Sequence, residues 1–176
     1  LGFGAVPKWF HQKFPRSHMQ APDGSFTKLY DYHDPDFLRY SRNWIREVHE
    51  RVLKTRMGPG KPIAFVQIDN ETNFQWQSIY SSDYGSDAVD RYREFLKSTY
   101  ATLADLNRAH SRQWTDWSRV QPTHSPGKNL GEDRDWYRFQ DHSIHTYLVK
   151  VREMWTSIGV DEPTMLFTLA ESYNAA

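Results

Sequence analysis

The chain has 176 residues, with 22 basic and 22 acidic side chains and a formal net charge of zero. This balance argues against a nucleic-acid-binding protein or a polybasic membrane-surface protein, because both usually carry a basic field or stripe. The chain has no cysteine, which excludes a disulfide framework and a thiolate metal site. No apolar run approaches the ~18 residues of a membrane-spanning helix. The composition leaves the compartment open, cytoplasmic or secreted.

The N-terminal part of the chain predicts a loop followed by a helix. Residues 1–33 show no helical or strand period and contain several glycines and prolines, so we expect a long irregular loop. Asp34 can cap a helix and Pro35 suits its first turn. A helix is predicted from there to about Met57, because apolar residues recur at helical spacing. They are Phe37, Tyr40, Trp44, Val48 and Val52.

The remaining elements alternate between strands and helices. The apolar run from Ile63 to Ile68 predicts a strand covered on both faces, as in a parallel sheet. Helices are predicted over 87–99, 103–110 and 134–157, the last ending before Gly159 as a C-cap. Residues 111–131 are predicted to form a loop, and residues 164–170 a second strand.

This order of elements predicts an α/β fold. Two strands cannot close a sheet, so we expect residues 1–176 to be one segment of a larger α/β barrel. The chain also lacks an initiator methionine, which is typical of a processed or truncated N-terminus.

The strand predicted from Ile63 to Ile68 is followed by a polar cluster that a core strand does not need. Asn70 and Glu71 lie where the functional residues of an α/β barrel are found, at the C-terminal end of a strand. A general acid needs a carboxyl whose pKa is raised by partial burial, and Phe74 and Trp76 could supply the walls of such a site. The alternative is that Glu71 is a cap or a surface charge. Glycoside hydrolysis requires two carboxyl groups, and this strand offers one.

Four stretches in register resemble clan A glycoside hydrolases, most closely the β-galactosidase families 35 and 42. The stretch GKPIAFVQIDNE resembles the fourth barrel strand, which ends in Asn-Glu in these enzymes. FGAVPKWF, residues 3–10, resembles the family 35 loop after the third strand. Residues 92–123 and 135–148 resemble family 42 segments that follow the fourth strand. Together they cover most of the chain in the expected order.

The resemblance implies a segment of a (β/α)8 TIM barrel, from the loop after strand 3 to strand 5. It further implies a retaining β-galactosidase-like glycosidase in which Glu71 is the acid/base and Asn70 hydrogen-bonds the sugar 2-hydroxyl. The nucleophile would be a glutamate at the end of the seventh strand, outside this chain. Ala5, Ala101 and the pair Thr72-Asn73 depart from the family patterns, so galactose specificity is a leading hypothesis only.

Other side chains are candidates for sugar contacts. Trp9 and Trp76 could stack on sugar rings, although Trp9 suits core packing equally well. Tyr173 and Asn174 follow the second strand and could contact sugar. Glu171 lies beside them, but we interpret it as a loop or rim residue rather than the second carboxylate. Trp114 and Trp117 either line the cleft or pack on the barrel.

No cofactor and no metal site are predicted, and the expected partner is an oligo- or polysaccharide substrate. His142 and His145 have a spacing that could bind metal, but we interpret them as a solvated helix face. Two alternatives to the galactosidase stay open. One is a non-catalytic carbohydrate-binding relative, and the other is a clan A glycosidase of different specificity, such as a glucanase, mannanase or agarase. The sequence does not give the oligomeric state.

Overall fold

A computed structural model describes residues 6–70, 83–125, 127–161 and 165–168. The chain divides into two compact units. The first comprises Leu1–Ser17, Tyr30–Asn73 and Ile144–Ala176, and the second comprises His18–Leu29 and Phe74–Ser143. Within the described ranges, no helix is both long enough and apolar enough to cross a membrane.

Six α-helices and four strands make up the described part of the chain. In chain order they are α1 (Lys8–Lys13), β1 (His18–Gln20), β2 (Phe26–Tyr30), α2 (Pro35–Val48), α3 (Lys54–Arg56), β3 (Val66–Asn70), α4 (Ser86–Thr99), α5 (Leu103–His110), α6 (Leu130–Thr156) and β4 (Met165–Thr168). A π-helical turn, His49–Leu53, joins α2 to α3. Short 3-10 turns lie at Pro15–Ser17 and Trp117–Arg119.

The helix predicted from Asp34 onwards is confirmed, and so is its cap. The Asp34 carboxylate accepts a hydrogen bond from the backbone N–H of Phe37 at 2.8 Å, and Pro35 occupies the first helical position. The predicted apolar face is wrong in part, because Trp44 is 50% exposed. The buried residues of α2 are Phe37, Ser41 and Ile45. Ser41 and Ile45 each lie one position after the predicted Tyr40 and Trp44, so the buried face is rotated by about one residue from the predicted one.

In the first unit, α2 and the C-terminal part of α6 share one core with the two parallel strands. The buried members of this core are Phe10, Tyr30, Phe37, Ile45, Leu53, Val66, Ile68, Tyr147, Val151, Met154, Trp155 and Val160. Gly159 ends α6 with a φ of +88°, so the predicted glycine C-cap is confirmed.

Strands β3 and β4 pair in parallel, with Val66 opposite Met165 and Asn70 opposite Thr168. The predicted burial of this strand on both faces is wrong for this chain. Val66 and Ile68 are buried, whereas Gln67 is exposed and Phe65, just before the strand, is 55% exposed. One face of β3 therefore lacks an apolar cover within the described residues.

The predicted loop over residues 1–33 is also wrong. It contains α1 and the strands β1 and β2, which form a two-stranded sheet. Gly24 takes a φ of +82° in the turn between them, a conformation open to glycine at little cost. Met19 and Leu29 are almost fully buried. Strands this short carry too few residues to show a period of two, which is why the sequence pattern failed here.

The second unit has a helical core. The predicted helices at 87–99 and 103–110 are confirmed as α4 and α5. Helix α6 begins at Leu130 rather than at Arg134, because the Asn129 carboxamide accepts hydrogen bonds from the N–H groups of Gly131 and Glu132. The fully or nearly fully buried core residues of this unit are Tyr92, Leu96, Leu106, Val120, Trp136 and Phe139.

Candidate functional site

The candidate site lies at the carboxyl end of β3. Asn70 is the last residue of this strand and pairs with Thr168 of β4. Because the strands are parallel, their carboxyl ends meet at the same edge of the sheet, which is where α/β enzymes place their functional groups. The predicted residues Glu71, Trp76, Tyr173 and Asn174 lie outside the described residues, as does the side chain of Asn70.

The register of the sheet changes immediately before Asn70. Gln67 pairs with Leu166 and Asn70 pairs with Thr168, so three steps along β3 correspond to two along β4. The extra residue is a β-bulge. The Gln67 side chain donates a hydrogen bond to the backbone carbonyl of Asp69 at 3.0 Å, which holds the bulged segment from its exposed face.

Asp69 is a buried carboxylate inside this bulge, only 7% exposed. Two aromatic side chains lie near it, Tyr147 of α6 and Tyr32 of the segment that follows β2. Their rings stack with centroids 4.7 Å apart and an interplanar angle of 18°. Burial raises the pKa of Tyr147 well above its usual range, and the charge of Asp69 raises it further. Burial and Asp69 likewise raise the pKa of Tyr32, so both phenols stay protonated near neutral pH.

Trp9 lies in a different part of the first unit. It is 46% exposed and meets the ring of Tyr40 edge-on at 5.3 Å. It lines an apolar groove of about 250 Å³ together with Pro7, Phe37 and Trp44. No β3 residue lines this groove. Trp9 therefore has an accessible face for stacking, and its contact with the same sugar as Asn70 stays a prediction.

The second unit has a polar cleft of about 570 Å³ beside the start of α6. Trp114 lines it and also packs against the helical core, and whether it lines the sugar cleft stays a prediction. The Asn107 carboxamide fixes Trp114 by two backbone hydrogen bonds of 2.8 and 2.9 Å. Arg112 forms a bidentate ion pair with the buried Glu132 at the rim. Trp117 packs on the same core.

The sequence reasoning missed a buried polar network in this unit. His110 and Asp135 are both fully buried, and His110 Nε2 lies 2.8 Å from Asp135 Oδ2. The Tyr100 hydroxyl and the Arg134 guanidinium donate to the same carboxylate at 2.5 and 3.1 Å. Burial raises the pKa of Asp135, but the hydrogen bonds from His110, Tyr100 and Arg134 outweigh it and lower the pKa to about 2. A lone histidine at the end of a short helix carries no sequence signal for such a network.

Within the described ranges, no group of three or more His, Cys, Asp or Glu side chains could hold a metal ion. His142 and His145 are exposed on α6, the position expected for them. His142 lies beside the ring of Phe95, with centroids 5.4 Å apart.

Solved structures with the same fold are β-galactosidases. The enzyme from Bacillus circulans sp. alkalophilus superposes with a TM-score of 0.71 at 20% identity, over 97% of this chain and 26% of that one. The enzyme from the Antarctic haloarchaeon Halorubrum lacusprofundi superposes with a TM-score of 0.73 at 19% identity, over 95% of this chain and 25% of that one. Such enzymes are TIM barrels, so the mixed helix and strand architecture corresponds to about a quarter of each.

Curated relatives have several activities. An exo-β-D-glucosaminidase of Thermococcus kodakarensis is 25% identical over 93% of this chain and 22% of its own length. A β-1,2-glucosyltransferase of Ignavibacterium album is 27% identical over 66% of this chain and 17% of its own length. A β-galactosidase of Alicyclobacillus acidocaldarius is 27% identical over 77% of this chain and 20% of its own length. The chain thus spans about a fifth of the curated relatives it matches.

One family model matches almost the whole chain. The model for glycoside hydrolase family 42, described as β-galactosidase, covers residues 2–174. The part of the predicted resemblance that concerns family 42 is therefore confirmed, whereas the likeness of residues 3–10 to family 35 stays a prediction. The chain belongs to glycoside hydrolase family 42, the β-galactosidase family.

Proposed function

We propose that this chain is the acid/base segment of a retaining β-galactosidase-like glycoside hydrolase, with Glu71 as the general acid/base. The observation that carries the proposal is the position of Glu71 in the chain. It follows directly on the carboxyl end of a barrel-type strand that is paired in parallel with the next strand, in a chain of family 42. Functional carboxylates of TIM-barrel enzymes lie at this edge.

The proposed reaction has two steps. In the first, Glu71 donates a proton to the glycosidic oxygen while a carboxylate nucleophile attacks the anomeric carbon and forms a covalent glycosyl-enzyme. In the second, the Glu71 carboxylate removes a proton from the water that attacks the same carbon. Two inversions give net retention. The nucleophile belongs to a part of the barrel outside this chain.

Asn70 has a supporting role in this proposal. Its side chain hydrogen-bonds the 2-hydroxyl of the sugar, a contact that strengthens as the oxocarbenium-like transition state develops. Trp9, Trp76, Tyr173 and Asn174 are the further candidates for contacts with an oligosaccharide substrate.

Substitution of Glu71 in the full-length protein that carries this chain tests the proposal. We expect Glu71→Gln to lower kcat/KM on a β-linked galactose disaccharide by about 10²–10⁴-fold, the usual contribution of a positioned acid, with substrate binding retained. Glu47→Gln is the matched control, since Glu47 is an exposed glutamate on α2 in the same unit. Normal hydrolysis of the disaccharide by Glu71→Gln would refute the assignment. Sugar binding without turnover by the unsubstituted protein would favour the carbohydrate-binding alternative.

A second candidate function is transfer to a sugar acceptor, or hydrolysis of a glucosaminide, on the same carboxylate chemistry. The names of two curated relatives favour it, an exo-β-D-glucosaminidase and a β-1,2-glucosyltransferase. Transfer requires only that a sugar hydroxyl, instead of water, attacks the glycosyl-enzyme after Glu71 removes its proton. Product analysis with aryl β-galactoside, β-glucoside and β-glucosaminide donors, with and without an acceptor disaccharide, separates these activities.

A further inference from the structure

The burial of Asp69 is not explained by the fold. A carboxylate that is only 7% exposed loses its hydration, and burial is tolerated only when nearby groups compensate the charge. An apolar residue would fill the same place in a strand core without this cost. Asp69 comes directly before Asn70 and Glu71 in the chain. We therefore look for a functional reason for its charge at the carboxyl end of β3.

The backbone at Asp69 is not fixed by regular pairing with β4. The bulge places three steps of β3 against two of β4 between Gln67 and Asn70, and such a bulge locally disrupts the ladder and redirects the side chains that follow it. A bulged segment adopts one defined conformation only if other contacts hold it. On the exposed face, Gln67 supplies one such contact through the Asp69 carbonyl.

On the buried face, the carboxylate of Asp69 lies near Tyr147 and Tyr32. Tyr147 is fully buried, and no described residue hydrogen-bonds its hydroxyl. Burial raises the pKa of this hydroxyl, and the nearby Asp69 carboxylate raises it further. Stacking against Tyr32 fixes the ring plane of Tyr147, and α6 fixes its backbone. The carboxylate therefore lies beside a rigid part of the first unit.

We propose that Asp69 is a positioning residue for the acid/base: packed beside Tyr147 and Tyr32, it fixes the bulge from which the chain continues to Glu71. This inference rests on the proposed function and adds a residue to it. A misplacement of a catalytic group by about 1 Å can cost about 10²-fold in rate. Loosening the bulge therefore impairs the steps that need Glu71 and spares those that do not.

The test compares two substrates of the full-length protein that differ in leaving group. Cleavage of a β-linked galactose disaccharide needs the acid, whereas formation of the glycosyl-enzyme from 2,4-dinitrophenyl β-galactoside does not, because dinitrophenolate leaves without a proton. We expect Asp69→Asn to lower kcat/KM on the disaccharide at least 10-fold and on the dinitrophenyl substrate less than 3-fold. Tyr147→Phe removes only a hydroxyl. It should also lower kcat/KM more on the disaccharide than on the dinitrophenyl substrate, by a smaller factor. This variant keeps the test valid if Asp69→Asn does not fold.

Asp135→Asn is the control for a purely structural loss, since Asp135 is a buried carboxylate of the second unit. It should lower kcat/KM on both substrates by the same factor. The positioning role would be overturned if Asp69→Asn and Tyr147→Phe lowered kcat/KM equally on both substrates. It would also be overturned if neither variant lowered kcat/KM at all. If Glu71→Gln keeps full activity on the disaccharide, the proposed function itself fails. If Glu71→Gln loses that activity while Asp69→Asn and Tyr147→Phe leave the substrate ratio unchanged, only the positioning role fails.

Discussion

Replacing Asp135 with asparagine should destabilise the second unit by about 2–3 kcal/mol. The carboxylate is fully buried and accepts hydrogen bonds from His110, Tyr100 and Arg134. Its pKa falls from 3.8 to about 2, and one pKa unit corresponds to ~1.4 kcal/mol. The folded state thus favours the charged form by about 2.5 kcal/mol. An asparagine has one oxygen instead of two and no charge, so it forfeits most of this preference.

The pH dependence gives a second readout of the same contact. Because the pKa of Asp135 is lower in the folded state, its contribution to stability is fully present above about pH 4 and is lost as the pH falls towards 2. The difference in the free energy of unfolding between the unsubstituted protein and Asp135→Asn should therefore be largest near neutral pH and shrink between pH 4 and 2.

Native-state hydrogen exchange localises the effect. Amides of α5 and of residues 130–143 of α6 should lose protection in Asp135→Asn, and urea unfolding gives the magnitude. Glu94→Gln is the matched control, because Glu94 is a 71% exposed carboxylate on α4 and such pairs contribute ~0–1 kcal/mol. A loss in Asp135→Asn no larger than in the control, or a loss that is independent of pH, would refute this account of the network.

Three further predictions concern two glycines and the isolated chain. Gly131→Ala should destabilise by more than about 1 kcal/mol, because an added Cβ would overlap the backbone carbonyl of Ala109, and unchanged thermal unfolding would contradict this contact. Gly159→Ala should cost about 1 kcal/mol through its φ of +88°, whereas Gly159→Asn should cost less, and equal costs in urea unfolding would argue against the C-cap. The isolated 176-residue chain should show no hydrolysis of aryl β-galactosides, because it supplies one of the two carboxylates. Measurable hydrolysis, abolished by Glu171→Gln, would instead place the nucleophile at Glu171.

Helices α2, α4, α5 and α6 were predictable because apolar residues recur in them at helical spacing, and α2 and α6 are also marked at one end. Asp34 with Pro35 at the start of α2 and Gly159 after α6 act through local geometry that sequence alone determines. The parallel pairing of the two strands followed from their order with the helices between them. The errors occurred where tertiary contacts decide. The buried face of α2 depends on contacts with residues far away in the chain, and so do the strands within residues 1–33. A local sequence pattern does not contain these contacts.

The candidate site, too, was predictable from the sequence only in part. The family and the place of Glu71 after β3 could be predicted, since the stretch GKPIAFVQIDNE carries both. The bulge before Asn70 could not, because it arises from pairing with a strand almost 100 positions later in the chain. Nor could the approach of Asp69 to Tyr147 be predicted, because it brings together residues from two distant elements. His110 and Asp135 likewise meet only through the fold of the second unit.

The most direct test of the central claim is chemical rescue of Glu71→Ala in the full-length protein. With 2,4-dinitrophenyl β-galactoside, the glycosyl-enzyme should form normally and then accumulate, because no base activates water. Azide needs no base, so its addition should increase turnover and give the galactosyl azide of β configuration. An azide of α configuration would make Glu71 the nucleophile, and turnover that azide does not change would contradict its role as acid/base.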